Sequence, residues 1–191
     1  MTRMNKVAGL SLALALSGIG GLGLAAQAAE DKTVMVGGAP MYPSKTIVEN
    51  AVNSKDHTTL VAAVKAAGLV ETLSGKGPFT VFAPTNAAFA KLPAGTVETL
   101  VKPESKATLT KILTYHVVPG AMTAADLKKA IKAGGGKAML KTAQGENLTA
   151  EEKGSKIEIV DAKGGMSTVA IADVMQSNGV IHVVDTVLMP K

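Results

Sequence analysis

The sequence predicts an α+β domain in which helices come first and a β meander follows. Three observations lead there. Apolar residues recur at helical spacing up to Gly134-Gly135-Gly136 and alternate in period two beyond it. The alternating part is cut at short intervals by Gln144-Gly145, Lys153-Gly154, Gly164-Gly165 and Asn178-Gly179, dipeptides that turn a strand back on itself. The β-branched and aromatic run Phe79-Thr80-Val81-Phe82-Ala83 stands early, among helices, and must join the later sheet. At 191 residues the chain has room for one ordinary domain.

The elements follow in chain order. Arg3 and Lys6 precede an uncharged stretch over 7–29 that passes from leucine-rich to glycine-rich and reaches Ala26-Gln27-Ala28, a small-x-small pattern. This reads as an export signal over 1–28, cut after Ala28. Residues 29–44 carry Gly37, Gly38, Pro40 and Pro43 and are expected to be a flexible lead-in, with 34–36 as a short edge strand. The domain proper is expected over 45–191. Thr46 and Glu49 make a capping box for a helix over 46–52. Asp56 is the expected cap of a second helix that puts Leu60, Ala63, Val64 and Ala67 on one face and stops at Gly68. The strand 79–83 ends at Pro84, and Thr85 caps a helix through Leu92. Pro103 opens a helix carrying Leu109, Ile112 and Leu113, followed by a strand over 115–118 and the Pro119-Gly120 turn. Thr123 caps a helix over 124–133, and strands are expected over 138–142, 148–152, 156–161, 168–174 and 180–188.

Three segments in this order resemble the fasciclin domain family: Thr80-Val81-Phe82-Ala83-Pro84-Thr85-Asn86-Ala87-Ala88-Phe89, Tyr115-His116, and Asn178-Gly179-Val180-Ile181-His182-Val183-Val184-Asp185. The similarity spans roughly 45–189. It implies a twisted β-sandwich or wedge of about seven strands with helices packed along one edge, and a binding role in cell adhesion or an extracellular matrix. In animal members, integrin adhesion is attributed to an Asp-aliphatic pair just before the Asn-Gly turn and to the Tyr-His motif. The resemblance carries these roles onto Asp173, Val174 and Met175, and onto Tyr115 and His116. Ile171 and Ala172 replace more polar or proline-containing residues of those members, so a general partner is implied rather than an integrin. Taken by themselves, Tyr115 and His116 read more readily as a buried polar pair bonding across the core, and Asp173 reads as a turn-stabilising acceptor or as a contact residue.

Composition narrows the function classes. The chain has no cysteine, which removes disulfides, thiolate chemistry and a lipidated cysteine. Without residues 1–28 the charge is 18 Lys+Arg against 15 Asp+Glu, and Arg3, the one arginine, is gone, so nucleic acid is not an expected partner. No membrane span is expected after signal cleavage. The three histidines, His57, His116 and His182, lack metal-ligand spacing, and no nucleophile elbow or phosphate loop occurs, so neither an enzyme, a metal nor a cofactor is expected. The favoured reading is a secreted or periplasmic module that binds an extracellular or envelope protein or polysaccharide. The alternative is an envelope carrier of a lipid or small apolar ligand, with Met122, Met139, Met166 and Met175 as adaptable lining. An enclosed apolar cavity of several hundred Å3, on the order of known ligand pockets, would favour the carrier.

Overall fold

The computed structural model describes residues 33–191, so the export-signal reading falls outside the described residues. Strands β1 (Val34–Val36) and β2 (Ala39–Met41) form a hairpin. Short helices α1 (Ile47–Ala51), α2 (Thr58–Ala67) and α3 (Val70–Ser74) precede strand β3 (Phe79–Pro84). Helices α4 (Asn86–Ala90), α5 (Thr96–Leu100) and α6 (Lys106–Tyr115) lead to β4 (Val117–Pro119) and α7 (Ala124–Ala133). The chain then runs through β5 (Lys137–Lys141), β6 (Asn147–Lys153), β7 (Lys156–Val160), β8 (Met166–Gln176) and β9 (Gly179–Val184).

One seven-stranded sheet carries the domain, in the order β4-β3-β9-β8-β7-β6-β5. Strands β5 to β9 form the expected antiparallel meander, and β3 enters it parallel to β9. All six residues of β9 are buried, which is why Val180, Ile181, Val183 and Val184 occupy both faces of this strand: it has layers on both sides. The sheet curls until its two edges approach. Ala143 N–H, just past β5, donates to Val117 O of β4 at 2.7 Å, giving a nearly barrel-like wedge.

Two hydrophobic clusters follow from that curl. The outer one joins the helices to β3 and β9 through Leu60, Ala63, Val64, Ala67, Leu113, Ile181 and Val183. The inner one fills the wedge with Phe82, Tyr115, Leu127, Ile131, Leu148, Ile159 and Val184. The buried face of α2 is the one its spacing selects, and Gly68 closes that helix with φ +74°, a left-handed cap that suits glycine. Thr46 and Thr123 each make reciprocal capping boxes, with Glu49 and Asp126 respectively.

Four expectations are corrected. Val36, Ala39 and Met41 are buried in the outer cluster, so much of the expected lead-in is a packed hairpin. Asp56 caps nothing; the start of α2 is capped from another part of the chain, Asn86 Oδ1 accepting from Thr59 N–H at 3.0 Å. Helices α3 and α5 are additional; their N-cap positions Leu69 and Gly95 carry no side-chain cap that would have signalled them. The expected strand at 115–118 begins only at Val117, because His116 Nδ1–H donates back to Ile112 O at 2.8 Å and extends the helical geometry through Tyr115.

Candidate binding surface

Asp173 sits in an irregular stretch of β8, where the register with β9 slips between Val169 and Ile171 and again between Ile171 and Val174. It is the one non-glycine among the described residues with positive φ, +57°, a conformation that Asp tolerates better than most side chains. Its Oδ1 accepts from Ala124 N–H at 2.6 Å, placing a carboxylate on the first turn of α7, where helix polarity favours it. Its own N–H donates to His182 Nδ1 at 3.4 Å, while His182 Nε2–H donates to Met122 O at 2.8 Å. His182 is buried and stacks on Phe82 at 5.7 Å; burial lowers its pKa, and the neutral ring is the form these bonds need. Asp173 is thus a clasp between β8, β9 and α7, and its carboxylate is already engaged. Val174 is buried in the outer cluster. Met175, 43% exposed, is the member of the trio that presents a large apolar surface.

Tyr115 and His116 are both buried. The Tyr115 hydroxyl donates to Asn147 O at 3.0 Å and accepts from Ala162 N–H at 2.9 Å, and burial raises its pKa. Besides its bond to Ile112, His116 accepts from Leu188 N–H at Nε2, 3.0 Å away, and burial pushes its pKa down to about 4. The pair fastens α6 to the inner sheet and to the final segment. Tyr115, His116 and Val174 thus have their polar atoms or apolar surfaces engaged inside the domain, as the buried-pair reading of Tyr115 and His116 expects.

Met175 stands instead at an open cleft of about 590 Å3, lined also by Thr46, Lys76, Pro78, Ser177 and Asn178. Asn178 builds it. The Asn-Gly dipeptide reads as a positive-φ hairpin turn, yet neither residue adopts positive φ. The Asn178 side chain accepts from Ile47 N–H at 3.0 Å and donates to Leu73 O at 2.8 Å and Gly75 O at 3.0 Å, binding α1, α3 and the β8–β9 turn together. Gly77 and Gly179 are needed for close approach: a Cβ on Gly77 would lie 1.9 Å from Asn178 O, and one on Gly179 2.1 Å from Phe79 O. Lys76, Pro78 and Ser177 are exposed at the rim, and Lys76 has no ion pair among the described residues. Sequence reasoning passed over them because this rim forms only when residues about a hundred positions apart meet at β3 and β9.

The interior is close-packed. Between the helices and β3 lies an apolar cavity of about 50 Å3. Met139 and Met166, expected as interior lining of a carrier, are 71% and 58% exposed on the outer face of the sheet. Among the described residues no three His, Asp or Glu side chains are grouped to hold a metal ion, and no helix is long and apolar enough to cross a membrane.

Residues 55–190 match the family model of the fasciclin domain. The chain belongs to the fasciclin domain family. It is 52% identical over 160 residues to protein sll1483 of Synechocystis, a match covering 84% of this chain and 82% of that one. It is 36% identical over 148 residues to the transforming growth factor-beta-induced protein ig-h3 of Sus scrofa, covering 78% of this chain but 20% of that longer protein. In fold it is similar to a FAS1 domain pair from the insect cell adhesion molecule Fasciclin I, with a TM-score of 0.69 at 22% identity over 78% of this chain and 52% of that one. The fasciclin-type wedge expected from the three motifs is the fold observed.

Proposed function

We propose that this fasciclin domain is an exported, non-catalytic binding module that holds an extracellular or envelope protein or polysaccharide through the cleft beside Met175. The observation that carries the reading is the exposed thioether of Met175 at the rim of an open cleft whose floor is fixed by Asn178. A rigid floor with a polarizable apolar contact and a free ammonium at Lys76 suits an acidic or hydroxyl-rich partner bearing a small apolar group. Asp173 serves this surface indirectly, by fixing the course of β8 ahead of Met175. Lipid carriage finds little support, since a cavity of about 50 Å3 is far below the several hundred, on the order of 300 or more, that enclose a lipid-sized ligand.

The test is capture of proteins and glycans from the producing organism's envelope and medium by residues 29–191, comparing the parent with Met175→Glu and Lys76→Glu. Both substitutions fall at exposed positions and are expected to leave the unfolding free energy within about 0.5 kcal/mol of the parent. A macromolecule held by the parent and released by either variant supports the reading. Retention unchanged in both variants moves the contact elsewhere.

A further inference from the structure

Residues 186–191 follow β9 without regular secondary structure, and among the described residues no backbone–backbone hydrogen bond holds them. Side chains hold them instead. Thr186 N–H donates to Ser167 Oγ at 3.0 Å, Leu188 N–H to His116 Nε2 at 3.0 Å, Met189 N–H to Asp161 Oδ2 at 2.9 Å and Lys191 N–H to Glu146 Oε2 at 2.9 Å. The segment is shared between the two hydrophobic clusters, Val187 belonging to the outer one and the fully buried Leu188 to the inner one. Charged groups face it along its length. At one end Lys91 Nζ reaches Thr186 Oγ1 at 3.3 Å and Asp185 at 3.7 Å, and at the other Lys111 Nζ donates to Lys191 O at 2.5 Å and pairs with Glu146 at 3.6 Å. Between them Asp161 also accepts from the Lys163 and Gly165 N–H groups, beside the Tyr115 hydroxyl.

His116, Asp161 and Glu146 can each take up a proton, and they do not respond alike. His116 Nδ1–H already donates to Ile112 O, so Nε2 accepts from Leu188 through the free lone pair of the neutral ring. A proton there sets two donors face to face in a buried site, with neither satisfied. Protonated Asp161 or Glu146 still offers a carbonyl oxygen and loses only its charge. We propose that residues 186–191 form an acid-released strap, in which proton uptake at His116 Nε2 detaches Leu188 and uncovers part of the inner cluster while the sheet stays paired. Strand β9 remains in place because β3 and β8 hold it on both edges, whereas the strap has no ladder of its own. The Glu146 carboxyl is held below its usual range, first by the Lys191 N–H, so this bond is at full strength at neutral pH and weakens in the same direction as pH falls. No residue of the strap lines the cleft at Met175, so this device and the proposed contact there stand or fall separately.

Amide hydrogen exchange, read from 1H–15N spectra and corrected for the intrinsic rate at each pH, tests the strap residue by residue. A His116 pKa of about 4 with the strap closed, against about 6.5 once the ring meets water, raises opening at Leu188 about a hundredfold between about pH 7 and about pH 4. The Leu188 and Met189 amides are expected to lose protection by that factor while those of Ile181 and Val183 in β9 stay protected. His116→Gln, which removes the titrating ring, reduces the response at Leu188 at least tenfold, and Glu146→Gln, which keeps an acceptor and leaves His116 in place, retains it. The proposal is overturned if Leu188 keeps its protection down to about pH 4, or if Leu188 and β9 lose protection together. It is equally overturned if folded His116→Gln responds as the parent does, or if Glu146→Gln abolishes the response.

Discussion

Replacing Asn178 by alanine removes three hydrogen bonds at once, and the structure sets the size of the effect. The bonds with Ile47 N–H and Leu73 O are buried, and each group left without a partner there costs about 1–3 kcal/mol. The bond to Gly75 O is partly buried beside the open cleft, where water can replace it, so its loss contributes about 1 kcal/mol or less. The sum is about 4 kcal/mol, a large share of the roughly 5–15 kcal/mol that stabilises a domain. At this chain length it lowers the melting temperature by about 8–16 °C. Urea unfolding followed by circular dichroism measures it, with the midpoint moving and the slope unchanged. Asn178→Asp is an informative companion: it keeps an acceptor for Ile47 but points a carboxylate at two carbonyl oxygens, so it is expected to be no more stable than the alanine variant. A loss under about 1 kcal/mol for Asn178→Ala would refute the idea that this side chain ties the two helices to the turn.

Asp173→Ala is expected to cost about 2 kcal/mol, because the Ala124 N–H loses a charged acceptor, whereas Asp173→Asn keeps an acceptor and a tolerance for positive φ and costs about 1 kcal/mol or less; equal urea midpoints for the two would contradict the clasp. His116 has a folded pKa of about 4, below its unfolded value, so unfolding takes up a proton between those limits. Its contribution is complete above about pH 6.5 and declines as pH falls toward about 4, by about 3 kcal/mol in all. His57 and His182, also lowered by burial, act in the same direction. A pH slope of stability that is the same in His116→Gln as in the parent rules this out. Gly179→Ala brings a Cβ to 2.1 Å from Phe79 O and is expected to destabilise by about 3 kcal/mol or more; a near-parental melting temperature would show that β3 and β9 can separate to admit it.

Much of the fold is legible where the cause is local. Leu60, Ala63, Val64 and Ala67 declare their helix face by spacing, Thr123 with Asp126 declares a helix start, and Lys153-Gly154 declares a hairpin. What escapes is whatever is fixed from a distance. Asn86 caps a helix that begins before it in the chain, and Asn178 spends its side chain on α1 and α3 rather than on its own turn. The candidate site suffers most, since exposure is a property of the assembled wedge. The motif residues Tyr115 and His116 carry the family resemblance because they hold the wedge together, while Lys76, Pro78 and Ser177 carry no pattern and lie on its open rim.

The parallel pairing of β3 with β9 gives the domain an order of assembly. Phe79 is matched to Gly179 and Pro84 to Val184, so β9, an interior strand of the sheet, is supplied a hundred residues after its neighbour β3. Until it arrives, β3 has only the short β4 beside it, and the helices have half a sheet to pack on. Closing so long a loop is slow compared with forming local helices, and contacts of that span come late in folding. A nascent chain therefore stays open until its final stretch is free. Cutting the chain ahead of Val184 leaves no smaller domain behind; it removes the strand that lets both cores close.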